Sequence, residues 1–222
     1  MKEIRGPQDI AAMVRKWGFL PFFANGIPGF SIAEHTPPEL WFTDRPGPWE
    51  WKGPVASGGE CVYGKFFHGK AGYISLDILP DFANYRRDGY DFEGRWDEGL
   101  APRQDKEVYD TLASHPSLLS KELKRLCGYR RGGNGGFDTR VARLQMQTYV
   151  VISDFEYERD KYGREYGWGV ARYAALDVLV GEDFFREVYE RAPEESFRRC
   201  VQRLTKGYPG ATAAQAERLL RG

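Results

Sequence analysis

Long apolar runs are absent from this chain. Nothing approaches the ~20 consecutive apolar residues that a membrane span needs, and the opening stretch MKEIRGPQDI carries no apolar segment of the signal-peptide kind. A cytoplasmic protein without a membrane partner is expected. Cysteine is scarce: Cys61, Cys127 and Cys200 are odd in number and far apart, which excludes a disulfide framework and fits reduced thiols. His35, His68 and His115 show no ligand spacing, so no metal is expected. The stretch GYRRGGNGG is rich in glycine but lacks the Lys-Ser/Thr ending of a phosphate-binding loop and follows no strand, and no cofactor is expected. Net charge is also missing: 32 basic residues balance 32 acidic ones, so the chain as a whole is no general polyanion binder.

What is present is enough apolar surface for a core, with 41% hydrophobic and 15% aromatic residues among 222. The charge is uneven. From Lys121 to Gln147 seven bases face two acids; from Asp88 to Glu107 seven acids face three bases. A basic patch on a neutral body suits a face that meets phosphates, although a charge run can equally be a solvated surface.

Read in order, GPQDIAAMVRKWG is a first helix, with Pro7 in its first turn, Ile10, Val14 and Trp17 at helical spacing and Gly18 at its end. Residues 27–54 hold so much proline, glycine and aromatic side chain that an ordered loop with short extended pieces is expected. CVYGKFFHGKAGYIS reads as a hairpin turning at His68-Gly69, and SLDILPDFANYRR opens a short helix. The acidic, glycine-rich DGYDFEGRWDEGLAP is a boundary candidate. Helices follow at RQDKEVYDTLASH, at SLLSKELKRLCG with Ser120 as N-cap and Leu123 and Leu126 inward, and at FDTRVARLQMQ capped by Asp138. TYVVISDFEY and YGWGVARY then form two extended arms around a charged tip. Three helices and a two-stranded wing are the order of a winged helix, whose third helix enters the major groove. The expected fold class is α+β: an N-terminal α/β-hairpin module over 1–100, a winged helix over 101–175, and a helical extension over 176–222. That extension is read as helices at EDFFREVYERA, PEESFRRCVQRLTKG and TAAQAERLLRG, the last with capping-box spacing between Thr212 and Gln215.

Within the third helix, Phe137, Val141 and Leu144 form the buried face, while Arg140, Arg143 and Gln147 share an exposed one. Arg pairs with guanine and Gln with adenine in the major groove, and Thr139 at the helix start can reach a phosphate. Arg130, Arg131, Lys161 and Arg164 would add phosphate contacts from loop and wing. Gln145 and Gln147 form a Gln-x-Gln that could orient a water. Residues two apart on a helix diverge by about 200°, so the two amides converge only if the chain is already extended there, and Gln145 leans toward the buried side. In PGPWEWKGP, Trp49 and Trp51 could sandwich an unpaired base and Glu50 could serve as acid or base. In an extended stretch, however, the two indoles share one face and Glu50 points away. Asp154, Glu156 and Glu158 alternate with aromatics and place acids on one face of the first wing strand, away from DNA.

The winged-helix order, the WEWKG stretch and the YGKFFHGKAGYIS hairpin together resemble the AlkZ-type DNA glycosylases, and more closely the compact AlkZ-related proteins of about this length. The resemblance spans most of the chain. It implies winged-helix units around a DNA channel and, in the glycosylases, excision of alkylated bases and unhooking of interstrand crosslinks. It also implies a catalytic Gln-x-Gln or Gln-x-Asp just after an early helix that ends in glycine. That context here is VRKWGFLPFF, where Pro21 and Phe23 stand in place of the two polar residues. The expected partner is duplex DNA. Three readings stay open: a DNA-binding protein that recognises damaged bases with a degenerate catalytic motif, an active glycosylase using Glu50 or Gln145 with Gln147, and a protein-interaction module.

Overall fold

The first helix forms where its spacing predicts. α1 (Pro7–Trp17) starts with proline in its first turn, buries Ile10, Val14 and Trp17, and stops at Gly18, whose φ of 84° suits only glycine well. The computed structural model describes residues 3–42, 46–130, 133–163 and 165–221. Among these, eleven α-helices accompany one six-stranded antiparallel sheet, a mixed α+β architecture. From edge to edge the sheet runs β1 (Phe19–Pro21), β3 (Lys70–Ser75), β2 (Cys61–Phe67), β5 (Val150–Arg159), β6 (Glu165–Ala175) and β4 (Leu118–Leu119). No helix among the described residues is long and apolar enough to cross a membrane.

The β2–β3 hairpin turns at His68 (φ 51°) and Gly69 (φ 74°), both left-handed as a two-residue primed turn requires. β5 and β6 pair over most of their length, from Val150↔Ala175 to Arg159↔Glu165. The hairpin and the long ribbon meet at one register pair, Tyr63↔Ile152. Two apolar clusters flank this sheet. The larger gathers α1, β1, the β2–β3 hairpin and the C-terminal helices around Phe19, Phe22, Phe66, Phe82 and Leu204. The smaller holds Phe92, Val108, Leu112, Leu123, Phe137, Val141, Leu144 and Tyr149.

Several local expectations are corrected. Residues 48–56 are not extended but form α3 (Pro48–Ala56): proline stands in its first turn, and the Glu50 carboxylate accepts the Gly47 N–H at 2.8 Å. Residues 32–35 form α2 (Ile32–His35), and part of the acidic connection coils into α5 (Phe92–Asp97). α6 (Arg103–Ala113), α7 (Ser120–Leu126) and α8 (Phe137–Met146) match expectation in position. Their caps do not: Leu119 and Gly136 occupy the N-cap sites, and Leu126 is exposed. The expected helix at 182–192 is two 3-10 turns preceded by α9 (Leu176–Val180). α10 (Pro193–Gly207) and α11 (Ala213–Arg221) complete the chain, the latter opened by reciprocal bonds between Thr212 and Gln215.

One buried cation ties these parts together. Arg87, the last residue of α4 (Leu79–Arg87), has no exposed surface. Its guanidinium donates to Asp177 Oδ1 at 2.9 Å, to the Tyr189 hydroxyl at 2.6 Å and to the Thr148 carbonyl at 2.9 Å, and lies between the Tyr149 and Phe185 rings. Burial disfavours the charge, but Asp177 and the phenolic oxygens outweigh burial and hold the pKa above the usual arginine range. Arg87→Met would leave Asp177 without its cation, and a loss of about 3–5 kcal/mol in urea unfolding is expected; a loss under about 1 kcal/mol would show the pair to be dispensable.

Burial also sets an alkaline limit. Desolvation, with Glu60 nearby, pushes the Cys61 thiol up to about 12, and Tyr73 is likewise held well above its usual range. In the unfolded chain the thiol ionises near pH 9. Folded protein thus keeps its protons longer than unfolded protein, so stability is level below pH 9 and declines as pH rises toward 12. The unfolding free energy from urea titrations should fall between pH about 8 and about 10.5, by roughly 2 kcal/mol for Cys61 alone; an unchanged value would contradict this.

Candidate functional site

Pro21 and Phe23, which stand where the resemblance would put two polar catalytic residues, lie at a cleft. β1 forms the sheet edge where a proline lacking its N–H is tolerated, and Pro21 pairs with Gly72 of β3. The approach is close: a Cβ at Gly72 would sit 2.7 Å from the Leu20 carbonyl oxygen and 2.5 Å from the Phe67 ring. Beyond this edge a cleft of about 210 Å³ opens, walled by Pro21, Phe23 and Phe67 and rimmed by His68, Lys70 and Arg218. Phe23 and Lys70 are exposed. The His68 ring bonds the Arg218 carbonyl at 2.8 Å; since a carbonyl only accepts, Nε2 carries the proton and Nδ1 is the acceptor in the neutral ring. The two amides on the cleft are committed to backbone. Asn25 donates to the Phe30 carbonyl and accepts from the Ile27 N–H, and Gln215 donates to the Gly26 carbonyl and caps α11. No carboxylate is among the residues lining it. Sequence reasoning missed His68, Lys70 and Arg218, although the hairpin turn that presents the first two was legible.

The glutamine pair is separated. Gln145 is buried inside α8, where its Oε1 accepts the Lys65 N–H at 3.1 Å and its Nε2 donates to the Val141 carbonyl at 3.2 Å. Gln147 follows as the C-cap, half-buried. With both backbones helical, the amides diverge and do not share a water. Gln145 is a rivet between α8 and β2, which corrects its reading as a catalytic candidate.

The presumed reading face is also altered. Arg143 makes a two-point contact with Asp105 of α6, Nε to Oδ2 at 2.7 Å and Nη2 to Oδ1 at 2.5 Å, and Arg140 adds a longer contact at 3.8 Å. Asp105 is buried, and the hydrogen bond and charge it supplies raise the Arg143 pKa. Both guanidinium groups therefore turn sideways onto α6, into the acidic stretch, instead of pointing outward with Gln147. Thr139 is exposed at the start of α8. Arg130 is exposed after α7, and Lys161 is exposed at the ribbon tip over the Tyr162 ring. Arg131 and Arg164 lie outside the described residues.

Trp49 and Trp51 do not share a face, because the helical backbone of α3 sends them apart. Trp49 stacks on Phe22 with ring centroids 5.2 Å apart and meets Trp41 edge-on at 5.6 Å, while Trp51 is buried. Neither indole is free to hold a base, and Glu50 serves the helix start. Lys52, also unforeseen, is buried over the Phe155 ring at 4.1 Å, and desolvation lowers its pKa.

Once this geometry is known, comparison with known proteins adds the family. A protein-family model described as AlkZ related matches residues 4–221. The chain belongs to the AlkZ-related family. No curated protein and no solved structure matches it.

The Arg143–Asp105 contact generates a test. With Asp105 sealed but Arg143 about a third exposed, breaking the pair should cost about 1–3 kcal/mol, below the range for fully buried pairs. A double-mutant cycle of Arg143→Ala and Asp105→Ala, read by urea unfolding, should return a coupling of that size. Additive effects would mean that Arg143 is free to face a ligand.

Proposed function

We propose that this AlkZ-related protein binds duplex DNA and holds an unpaired or damaged base in the cleft beside Pro21 without cleaving it from its sugar. The observation that carries the reading is the make-up of that cleft: apolar walls at Pro21, Phe23 and Phe67, a cationic rim at Lys70 and Arg218, and no lining carboxylate. Flat bases stack on aromatic and apolar walls, and cations meet the flanking phosphates. Its volume lies below the roughly 300–1,000 Å³ of sites that enclose drug-sized ligands, which suits a single ring system. Hydrolysis of an N-glycosidic bond requires a group that positions water; both amides at this cleft are engaged elsewhere and no carboxylate lines it, which leaves the His68 Nδ1 at the rim as an acceptor outside the apolar walls. Membership of the family supports DNA as the partner.

A winged-helix reading of α6, β4, α7, α8, β5 and β6 accompanies this proposal, with its boundaries near residues 100 and 176. What supports it is the element order, the β4–β6 pairing at Leu118↔Tyr173, and the apolar cluster those elements share. In this reading α8 approaches the groove through Thr139 and its neighbours, with Arg130 and Lys161 on phosphates. Arg140 and Arg143 brace the helix against α6.

Fluorescence anisotropy with a labelled duplex tests the reading. A duplex containing one bulged base should bind more tightly than its fully paired counterpart, and the affinity should fall with salt. The double variant Lys70→Glu, Arg218→Glu should weaken binding and reduce the salt slope by about 2. The wild-type protein should generate no abasic sites in alkylated DNA. Binding indifferent to salt and to both charge reversals would overturn the DNA assignment; abasic-site formation would overturn the loss of hydrolysis.

A further inference from the structure

Arg86, the neighbour of the sealed Arg87, is a half-buried cation without a counterion. Elsewhere, guanidinium groups drawn into the protein meet carboxylates: Arg87 meets Asp177, Arg143 meets Asp105, Arg191 meets Asp81 and Arg203 meets Asp77. Arg86 meets only neutral oxygens among the described residues. It donates from Nη1 to the Arg221 carbonyl at 2.9 Å and from Nη2 to the Phe66 carbonyl, and it lies over the Phe82 ring at 5.0 Å. Its Nε is shut away from solvent without an acceptor. Burial, opposed by no carboxylate, pushes its pKa down to about 10.

The carbonyl that Arg86 reaches belongs to the last residue of α11. Two more guanidinium groups, Arg218 and Arg221, stand three residues apart on that helix and so share one side of it. Both are exposed, and neither makes an ion pair among the described residues. Arg218 rims the cleft beside Pro21, while Arg221 lies over the Phe197 ring of α10 at 4.3 Å. Glu217 is the one acid of α11, and it too makes no ion pair among the described residues.

A helix C-terminus ordinarily repels anions, because its last carbonyls lack donors and carry partial negative charge. At the end of α11 two of them are taken. The His68 ring bonds the Arg218 carbonyl at 2.8 Å, and Arg86 covers the Arg221 carbonyl. This helix end therefore carries an excess of positive charge instead.

We propose that the end of α11 binds the phosphodiester backbone of the strand that leaves the cleft beside Pro21, with Arg218 and Arg221 on successive phosphates and Arg86 supplying uncompensated charge at the helix end. The inference rests on the DNA reading of that cleft. The planar fork of arginine matches the oxygens of a phosphate two at a time. Backbone bonds at Phe66 and Arg221 already hold the Arg86 group, so its field needs no reordering when the strand arrives. The strand then runs from Lys70 across Arg218 toward Arg221 and the Phe197 side of α10.

Fluorescence anisotropy with bulged and fully paired duplexes tests this course. Arg221→Gln should weaken both duplexes by the same factor, reduce the salt slope by about 1 and leave the preference for the bulge intact. Arg221→Lys, which keeps the charge, should keep the slope. Glu217→Gln, which removes the acid from the same helix, should tighten both duplexes by about twofold to fivefold at low salt. Arg221 and Glu217 are exposed, and circular dichroism should show all three variants folded. If the wild-type protein binds the duplexes but Arg221→Gln keeps the full salt slope, or Glu217→Gln fails to tighten binding, the inference is overturned and the cleft reading stands. A wild-type protein that binds neither duplex overturns both.

Discussion

The fold depends on a single sealed guanidinium. Arg87 ends α4 inside the protein, where an unpaired charge would be prohibitive. Its partners come from three distant stretches: Thr148 at the turn from α8 into β5, Asp177 in α9, and Tyr189 in a 3-10 turn. Asp177 in turn accepts the Tyr109 hydroxyl of α6 at 3.1 Å. The N-terminal elements, the central helices and the C-terminal turns therefore converge on one ion pair. A neighbouring set repeats the principle, with buried Asp81 of α4 accepting from Ser196, Arg191 and Arg199. α4 is the spine to which the C-terminal helices attach.

The cleft beside Pro21 is assembled from parts remote in sequence. β1 supplies Pro21, the hairpin supplies Phe67, His68 and Lys70, and α11 supplies Arg218. Each is held by backbone: Pro21 by its register with Gly72, the hairpin tip by its primed turn and by the His68–Arg218 bond. The residues most suggestive of chemistry serve construction instead. Glu50 caps a helix, Gln145 joins helix to strand, and Trp49 and Trp51 pack among other side chains.

Periodicity and turn chemistry made much of the fold legible. α1, the β2–β3 hairpin, α6 and α10 follow from apolar spacing, from proline in a first turn, or from a tight turn at His68-Gly69. α3 was hidden because PGPWEWKGP reads as a proline-rich loop, and only the Glu50–Gly47 bond reveals how the helix begins. The face of α8 was misjudged for another reason: helical spacing says which side chains project together, but not that Asp105 on a separate helix draws two of them aside. The cleft was illegible for the same reason, since its rim joins residues some 150 positions apart. Long-range pairing of this kind leaves no local pattern.

The Gln145 rivet has a mechanical consequence. Its amide fastens α8 to the Lys65 backbone, and Lys65 lies on the strand that runs directly to the His68 tip. The helix and the hairpin tip that rims the cleft are therefore one fastened unit, with Met146 of α8 also approaching Gly69 at the turn.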